Sequence, residues 1–130
     1  MCGKYTLLAA LLLLVAMSLV ACGGGDSKQA AEDGKSLFNQ TTIGATAGCK
    51  TCHSLEAGTV IVGPSLAGIA TRAATTVPGL SAEEYLRQSI LVPDAYVVKE
   101  FPASIMPNGW AKQLSQEQVD QLVAYLLTIK

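Results

Sequence analysis

The pentapeptide Cys49-Lys50-Thr51-Cys52-His53 constrains this chain of 130 residues more than any other feature. Two cysteines with two residues between them can add across the two vinyl groups of one haem, and the histidine that follows immediately is delivered to the iron as an axial ligand. The macrocycle is then held by two thioethers and one coordinate bond. Thioredoxin-like redox sites and half zinc sites use the same Cys-x-x-Cys spacing. His53 is the only histidine, and the other cysteines, Cys2 and Cys22, lie far upstream, so a structural zinc site has no second cluster to complete it. A thioredoxin setting wants a strand before the motif and a helix after it, whereas Thr46-Ala47-Gly48 precedes and a Gly/Pro loop follows.

The second axial ligand must come from elsewhere. Thioether sulfur suits the position and raises the reduction potential relative to a second nitrogen. Of the three methionines, Met1 and Met17 belong to the apolar N-terminal segment, which leaves Met106 in Ser104-Ile105-Met106-Pro107-Asn108-Gly109. Proline directly after it keeps the backbone there out of a helix. A methionine also fills irregular core gaps, and that is the competing reading of Met106.

Lys4 followed by the apolar run from Leu7 to Ala21 has the layout of an export signal. As a helix, fifteen residues cover roughly 22 Å, short of the roughly 30 Å hydrocarbon core. The run ends in Leu19-Val20-Ala21-Cys22-Gly23, which resembles the bacterial lipoprotein lipobox. That resemblance implies a signal peptide over residues 1–21, with Cys22 as the lipidated N-terminus of the processed chain. An uncleaved anchor, accommodated by tilt or bilayer thinning, is the alternative. Either way the domain is expected outside the cytoplasm, tethered to a membrane. Residues 22–28, with Gly23-Gly24-Gly25-Asp26-Ser27 at their centre, read as a flexible linker. Removing residues 1–21 takes away one of nine basic residues and no acid, leaving eight against ten. Such a balance is no nucleic-acid footprint.

Residues 29–130 read as one all-α domain. Ser27 is the expected N-cap of a first helix running to about Asn39, with Ala30, Ala31, Gly34, Leu37 and Phe38 on one face. Gly34 costs a helix about 1 kcal/mol against alanine, which close approach of another helix would explain. Ser81-Ala82-Glu83-Glu84 is a capping box opening a helix with Tyr85, Leu86, Ile90 and Leu91, ended by Pro93. Ser115-Gln116-Glu117-Gln118 is a second, followed by Val119, Leu122, Val123, Leu126 and Ile129 at helical spacing. No run between these helices alternates strongly enough to demand a sheet, and a domain of roughly a hundred residues has a small core without a haem to wrap around.

The order of a helix with Gly34 and Phe38, Cys-x-x-Cys-His, Gly63-Pro64-Ser65-Leu66-Ala67-Gly68 with a later arginine, Met106-Pro107 and a terminal amphipathic helix resembles class I cytochrome c over roughly residues 28–130. The resemblance implies crossed N- and C-terminal helices, with Gly34 and Tyr125 at the contact, and loops wrapped around one covalently bound haem c. It also implies that Pro64 supplies the carbonyl that accepts a hydrogen bond from His53, that Leu66 packs on the porphyrin, and that Arg72 approaches a propionate; an exposed surface charge is the alternative for Arg72. The stretch from Ser89 to Val98 is similar to cytochrome domains of some bacterial terminal oxidases and to the monohaem subunit of alternative complex III. Tyr96 and Trp110 are candidate donors to propionates or to the Met106 loop, or else core aromatics.

The expected activity is single-electron transfer between redox proteins on the outer side of the cytoplasmic membrane, with no catalysis and no small-molecule substrate. Six-coordinate iron leaves no open position for oxygen or peroxide. Three rivals remain: a fixed cytochrome subunit of a larger respiratory or photosynthetic complex, an exported metal- or thiol-binding module without haem, and a haem enzyme or gas sensor in which Met106 does not bind.

Overall fold

In the computed structural model, residues 25–130 are described; the apolar segment and Cys22 lie outside them. Helix α1 spans Gly25–Phe38. Ser27, expected as its N-cap, therefore lies inside the first turn, and the linker expected over residues 22–28 is helical from Gly25 onward. No proline blocks that turn, and Asp26 places a negative charge at the positive end of the helix dipole.

Burial along α1 follows the expected face, with Ala30 and Ala31 partly covered and Gly34, Leu37 and Phe38 buried. What covers it is the terminal helix α6 (Gln116–Leu126), which buries Val119, Leu122, Val123, Tyr125 and Leu126. Gly34 is the crossing point: a Cβ there would overlap the Gln121 carbonyl and stand 3.0 Å from the Leu122 nitrogen. Beside it the rings of Phe38 and Tyr125 meet at 5.5 Å with a 56° tilt. Ile129, grouped with the α6 stripe by its spacing, lies beyond the end of the helix.

Between these two, the chain forms a two-residue antiparallel pair, β1 (Thr42–Ile43) and β2 (Thr46–Ala47), with Thr42 opposite Ala47 and Ile43 opposite Thr46. Strands of two residues are too short to show alternation in the sequence. There follow α2 (Cys49–Cys52), α3 (Ile69–Thr76), α4 (Ala82–Leu91), a 3-10 turn (Pro93–Ala95) and α5 (Trp110–Gln113). Both capping boxes form, Ser81 with Glu84 on α4 and Ser115 with Gln118 on α6. At the start of α3, the free Ala70 N–H is taken by the Ile129 carbonyl at 3.0 Å, which ties the chain end to the middle of the molecule. Helices α4 and α6 are linked by Arg87, which reaches Asp120 at 2.5 Å and Glu83 of its own helix at 3.1 Å. The result is an all-α fold whose crossed α1 and α6 support two long loops, residues 53–68 and 96–109.

Candidate functional site

Helix α2 is a single turn. The Thr51 hydroxyl donates to the Gly48 carbonyl at 2.6 Å at its start, and the His53 N–H donates to the Cys49 carbonyl at 3.0 Å at its end. His53 leaves the helix with extended backbone, φ −118° and ψ 127°. The following loop then folds back: Val62 and Gly63 N–H groups donate to the Cys52 carbonyl at 3.2 and 2.9 Å, and Leu66 N–H donates to the Ser54 carbonyl at 2.8 Å.

This return brings Gly63 against the imidazole so closely that a Cβ would stand 2.5 Å from Cε1 and 2.9 Å from Nδ1 of His53. The next residue contributes its carbonyl: His53 Nδ1 lies 2.9 Å from the Pro64 oxygen. A carbonyl can only accept, so Nδ1 carries the proton and Nε2 keeps its lone pair. Burial pushes the imidazole pKa below its ordinary value, opposed by the bond to Pro64. Neutral imidazole is the form that binds metal. Burial likewise pushes the Cys49 thiol up.

Cys49, Cys52, His53, Pro64, Leu66, Arg72 and Met106 all line one predominantly apolar cavity of about 410 Å³. Cys49, Cys52 and His53 are neighbours on and just after α2, and the loop 53–68 adds Pro64 and Leu66, α3 adds Arg72 and the loop 96–109 adds Met106. Met106 comes from the loop 96–109, where it is partly buried against the core. The Arg72 guanidinium donates to the Ala67 carbonyl and, at 2.9 Å, to the Ser65 carbonyl, so it braces the loop beside the cavity while remaining exposed. Tyr96 stacks edge-on to Tyr85 at 5.8 Å and is 39% exposed, which places it at the cavity mouth rather than in the core. Trp110 is core, in the cavity wall.

Two residues in this neighbourhood had no role assigned from sequence. Gly63 is one, since closeness to His53 depends on how the loop returns. The other is Asp94, whose carboxylate accepts from the Ser104 N–H at 2.7 Å, the Ser104 hydroxyl at 2.9 Å and the Asn108 amide at 3.1 Å. These donors hold its pKa below the usual carboxylate range, the Ser104 N–H contributing most. A clue existed only in composition, a carboxylate upstream of a serine and an asparagine that flank Met106.

The profile of the family described as Cytochrome c matches residues 31–130. The chain belongs to the cytochrome c family. Among its relatives, cytochrome c2 iso-2 of Magnetospirillum molischianum is 34% identical over 88 residues, covering 63% of this chain and 91% of the relative. Cytochrome c2 iso-2 of Magnetospirillum fulvum is 33% identical over 62% of this chain and 91% of its own length. Cytochrome c2 iso-1 of M. molischianum is 30% identical over 63% and 90%. No solved structure matches the chain significantly. Membership makes this cytochrome a class I, electron-transfer protein rather than an enzyme, with one covalently bound haem c as cofactor.

The residues present fit that cofactor. Trp110 Nε1 is a buried donor without a partner among the described residues, in the wall of the cavity, where a propionate would satisfy it. The lining is predominantly apolar, with Arg72, Thr76, Ser89, Asp94 and Ser104 among its polar members, and the volume falls within the range of cofactor sites, roughly 300–1,000 Å³. Among the described residues no group of three or more His, Cys, Asp or Glu side chains is placed to hold a metal ion by itself.

Proposed function

We propose that this cytochrome is a membrane-tethered carrier of single electrons in which Cys49 and Cys52 form the two thioethers and His53 and Met106 are the axial ligands. The observation that carries the reading is the His53–Pro64 hydrogen bond at 2.9 Å inside a cavity that Cys49, Cys52 and Met106 also line. When bound, the haem supplies one-electron redox chemistry at its iron. The chain does the rest. Pro64 fixes the imidazole tautomer and orientation, so that the Nε2 lone pair is the one offered for ligation. Leu66, Ile69, Leu86 and Leu126 help exclude water from the cavity. With His53 and Met106 both holding the iron, no position would be left for oxygen or peroxide. Val62, Val97 and Ile105 line the cavity and are 49%, 37% and 48% exposed, so they form an apolar mouth against which a redox protein would dock weakly and transiently.

The test is the optical spectrum of the full chain, made in an exporting host with a c-type maturation system, with and without Met106→Ala. Covalent low-spin haem, with a ferric sulfur-to-iron charge-transfer band lost in the variant, is the expected result. A colourless protein sinks the haem reading; a high-spin spectrum unchanged by the substitution replaces the carrier by an enzyme or sensor.

The anchor belongs to the same proposal. Residues 1–21 act as a lipoprotein signal and Cys22 carries the lipid, placing the domain on the outer face of the cytoplasmic membrane. What supports the tether is the apolar run from Leu7 to Ala21 ending in the lipobox-like Leu19-Val20-Ala21-Cys22-Gly23; among the described residues no helix is long and apolar enough to cross a membrane. Cys22→Ser is expected to abolish lipid labelling of the chain. The finer resemblance of residues 89–98 raises the alternative of a fixed subunit in a quinol-oxidising or terminal oxidase complex. Retention of the cytochrome through purification of such a complex supports the subunit, and its loss supports the mobile carrier.

A further inference from the structure

The loop that carries Met106 has almost no backbone support of its own. Between the end of the 3-10 turn at Ala95 and the start of α5 at Trp110, a single backbone–backbone hydrogen bond closes, from Phe101 N–H to the Val98 carbonyl. Among the described residues, the loop also holds both non-glycine residues with left-handed backbone, Glu100 at φ 77° and Ser104 at φ 59°. Such a segment does not keep its shape unaided.

We propose that Asp94 is the positioning residue of the sixth ligand, its carboxylate clamping the Met106 loop on both sides of the methionine. Ser104 lies two residues before Met106 and Asn108 two residues after it, and both donate to Asp94, through three hydrogen bonds of 2.7, 2.9 and 3.1 Å. One side chain thus supplies three times as many hydrogen bonds to this loop as the loop's backbone makes within itself. The clamp has a firm base, since Asp94 follows buried Pro93 in a turn that continues α4, whose Ile90 is also buried. Its chemistry is specific: an ionised carboxylate is acceptor-only and offers about four lone-pair sites, so three donors converge without conflict. Asparagine at this position would bring two donors of its own against them. Electron transfer benefits because a ligand held in place in both oxidation states needs no rearrangement when the electron arrives.

The inference rests on Met106 as axial ligand, and the experiment separates the two. Ferric full-length holoprotein is titrated with imidazole, which competes for the methionine position, while the sulfur-to-iron charge-transfer band is followed. Wild type, Asp94→Ala, Asp94→Asn and Asn108→Ala are compared, with Asp120→Asn as a control that breaks an exposed ion pair elsewhere. Asp94→Ala is expected to bind imidazole about tenfold more tightly, because the loop-open state that admits the competitor becomes more populated. Asn108→Ala, which removes one bond of three and no charge, is expected to shift the affinity about two- to threefold. The control stays within about twofold, although it also lowers stability. If Asp94→Ala fails to mature, Asp94→Asn and Asn108→Ala carry the comparison. Imidazole affinities that move no more than the control overturn the clamp while leaving Met106 ligation intact. A wild-type protein without the charge-transfer band removes the ligand itself, and the clamp with it.

Discussion

His53 and Pro64 are joined by a hydrogen bond of 2.9 Å across a loop of ten intervening residues, and Gly63 is what lets them meet. A methyl group at position 63 would stand 2.5 Å from Cε1 of the imidazole, nearer than carbon atoms pack. Either the ring or the Pro64 carbonyl must move. Gly63→Ala is therefore expected to destabilise the holoprotein by about 2–3 kcal/mol, combining overpacking with a lost hydrogen bond. Loss of that bond also lowers the basicity of the imidazole, so the midpoint potential rises. Thermal melts and redox titrations measure the two effects; an unchanged potential rules out the orienting role given to Pro64.

The crossing of α1 and α6 makes a prediction of opposite sign to helix propensity. Alanine gains about 1 kcal/mol over glycine inside a helix. At position 34, however, the added Cβ meets the backbone of Gln121 and Leu122, which cannot rotate away as a side chain would. Overpacking of this kind costs roughly 1–3 kcal/mol or more, and with backbone as the obstacle the upper end applies. Gly34→Ala is expected to lower stability by about 2 kcal/mol net, or roughly 10 °C in Tm for a domain of this size. A raised Tm would mean that the helices are not in contact there.

Acid should weaken the fold through carboxylates that support helices. Arg87 holds the Asp120 carboxyl below its ordinary pKa, with help from Gln116, and the Ser81 hydroxyl and N–H do the same for Glu84. A depressed folded-state pKa means stability that is present above the unfolded values, about 3.9 for Asp and 4.3 for Glu, and lost as pH falls through the folded ones. Denaturation midpoints of the holoprotein should hold steady from about pH 7 to 5 and drop below about pH 4. Asp120→Asn and Glu84→Gln should each approach wild type at low pH. A wild-type advantage that is constant from neutral to acid pH would remove these groups from the account.

How much of this could be read in advance depends on the range of the signal. Ser81 with Glu84, and Ser115 with Gln118, announce helix starts within four residues, and both boxes form. The stripe from Val119 to Leu126 shows a period, and its residues are buried. Cys49 to His53 is contiguous. Gly34 stood out because it broke a local rule, and the broken rule pointed to the helix crossing. The start of α1 is hidden in the sequence because three glycines read as a linker, although Gly25 and Asp26 join the helix. Asp94 was given no role because its partners lie ten and fourteen residues away, in a loop without periodicity. Gly63 mattered only once the loop had turned back onto His53. Local chemistry thus marked the elements, while the long loops decided what surrounds the cavity.

Trp110 offers the last test, since its Nε1 is buried and without a partner among the described residues. An unpaired buried donor costs about 1–3 kcal/mol, so a chain that never satisfied it would gain by losing it. Satisfaction by a haem propionate reverses this, because hydrogen bonds to charged groups contribute about 1.5–3 kcal/mol. Trp110→Phe removes the donor and some ring volume together. With the bond present, both losses add, and the holoprotein should lose about 3 kcal/mol or more. With the bond absent, relief of the unpaired N–H offsets the lost packing, and the change should be about 1 kcal/mol or less. Denaturant unfolding of the two holoproteins separates these cases. Slow hydrogen exchange at the indole N–H of the wild type adds a second readout, because a bonded donor exchanges only when the cavity wall opens.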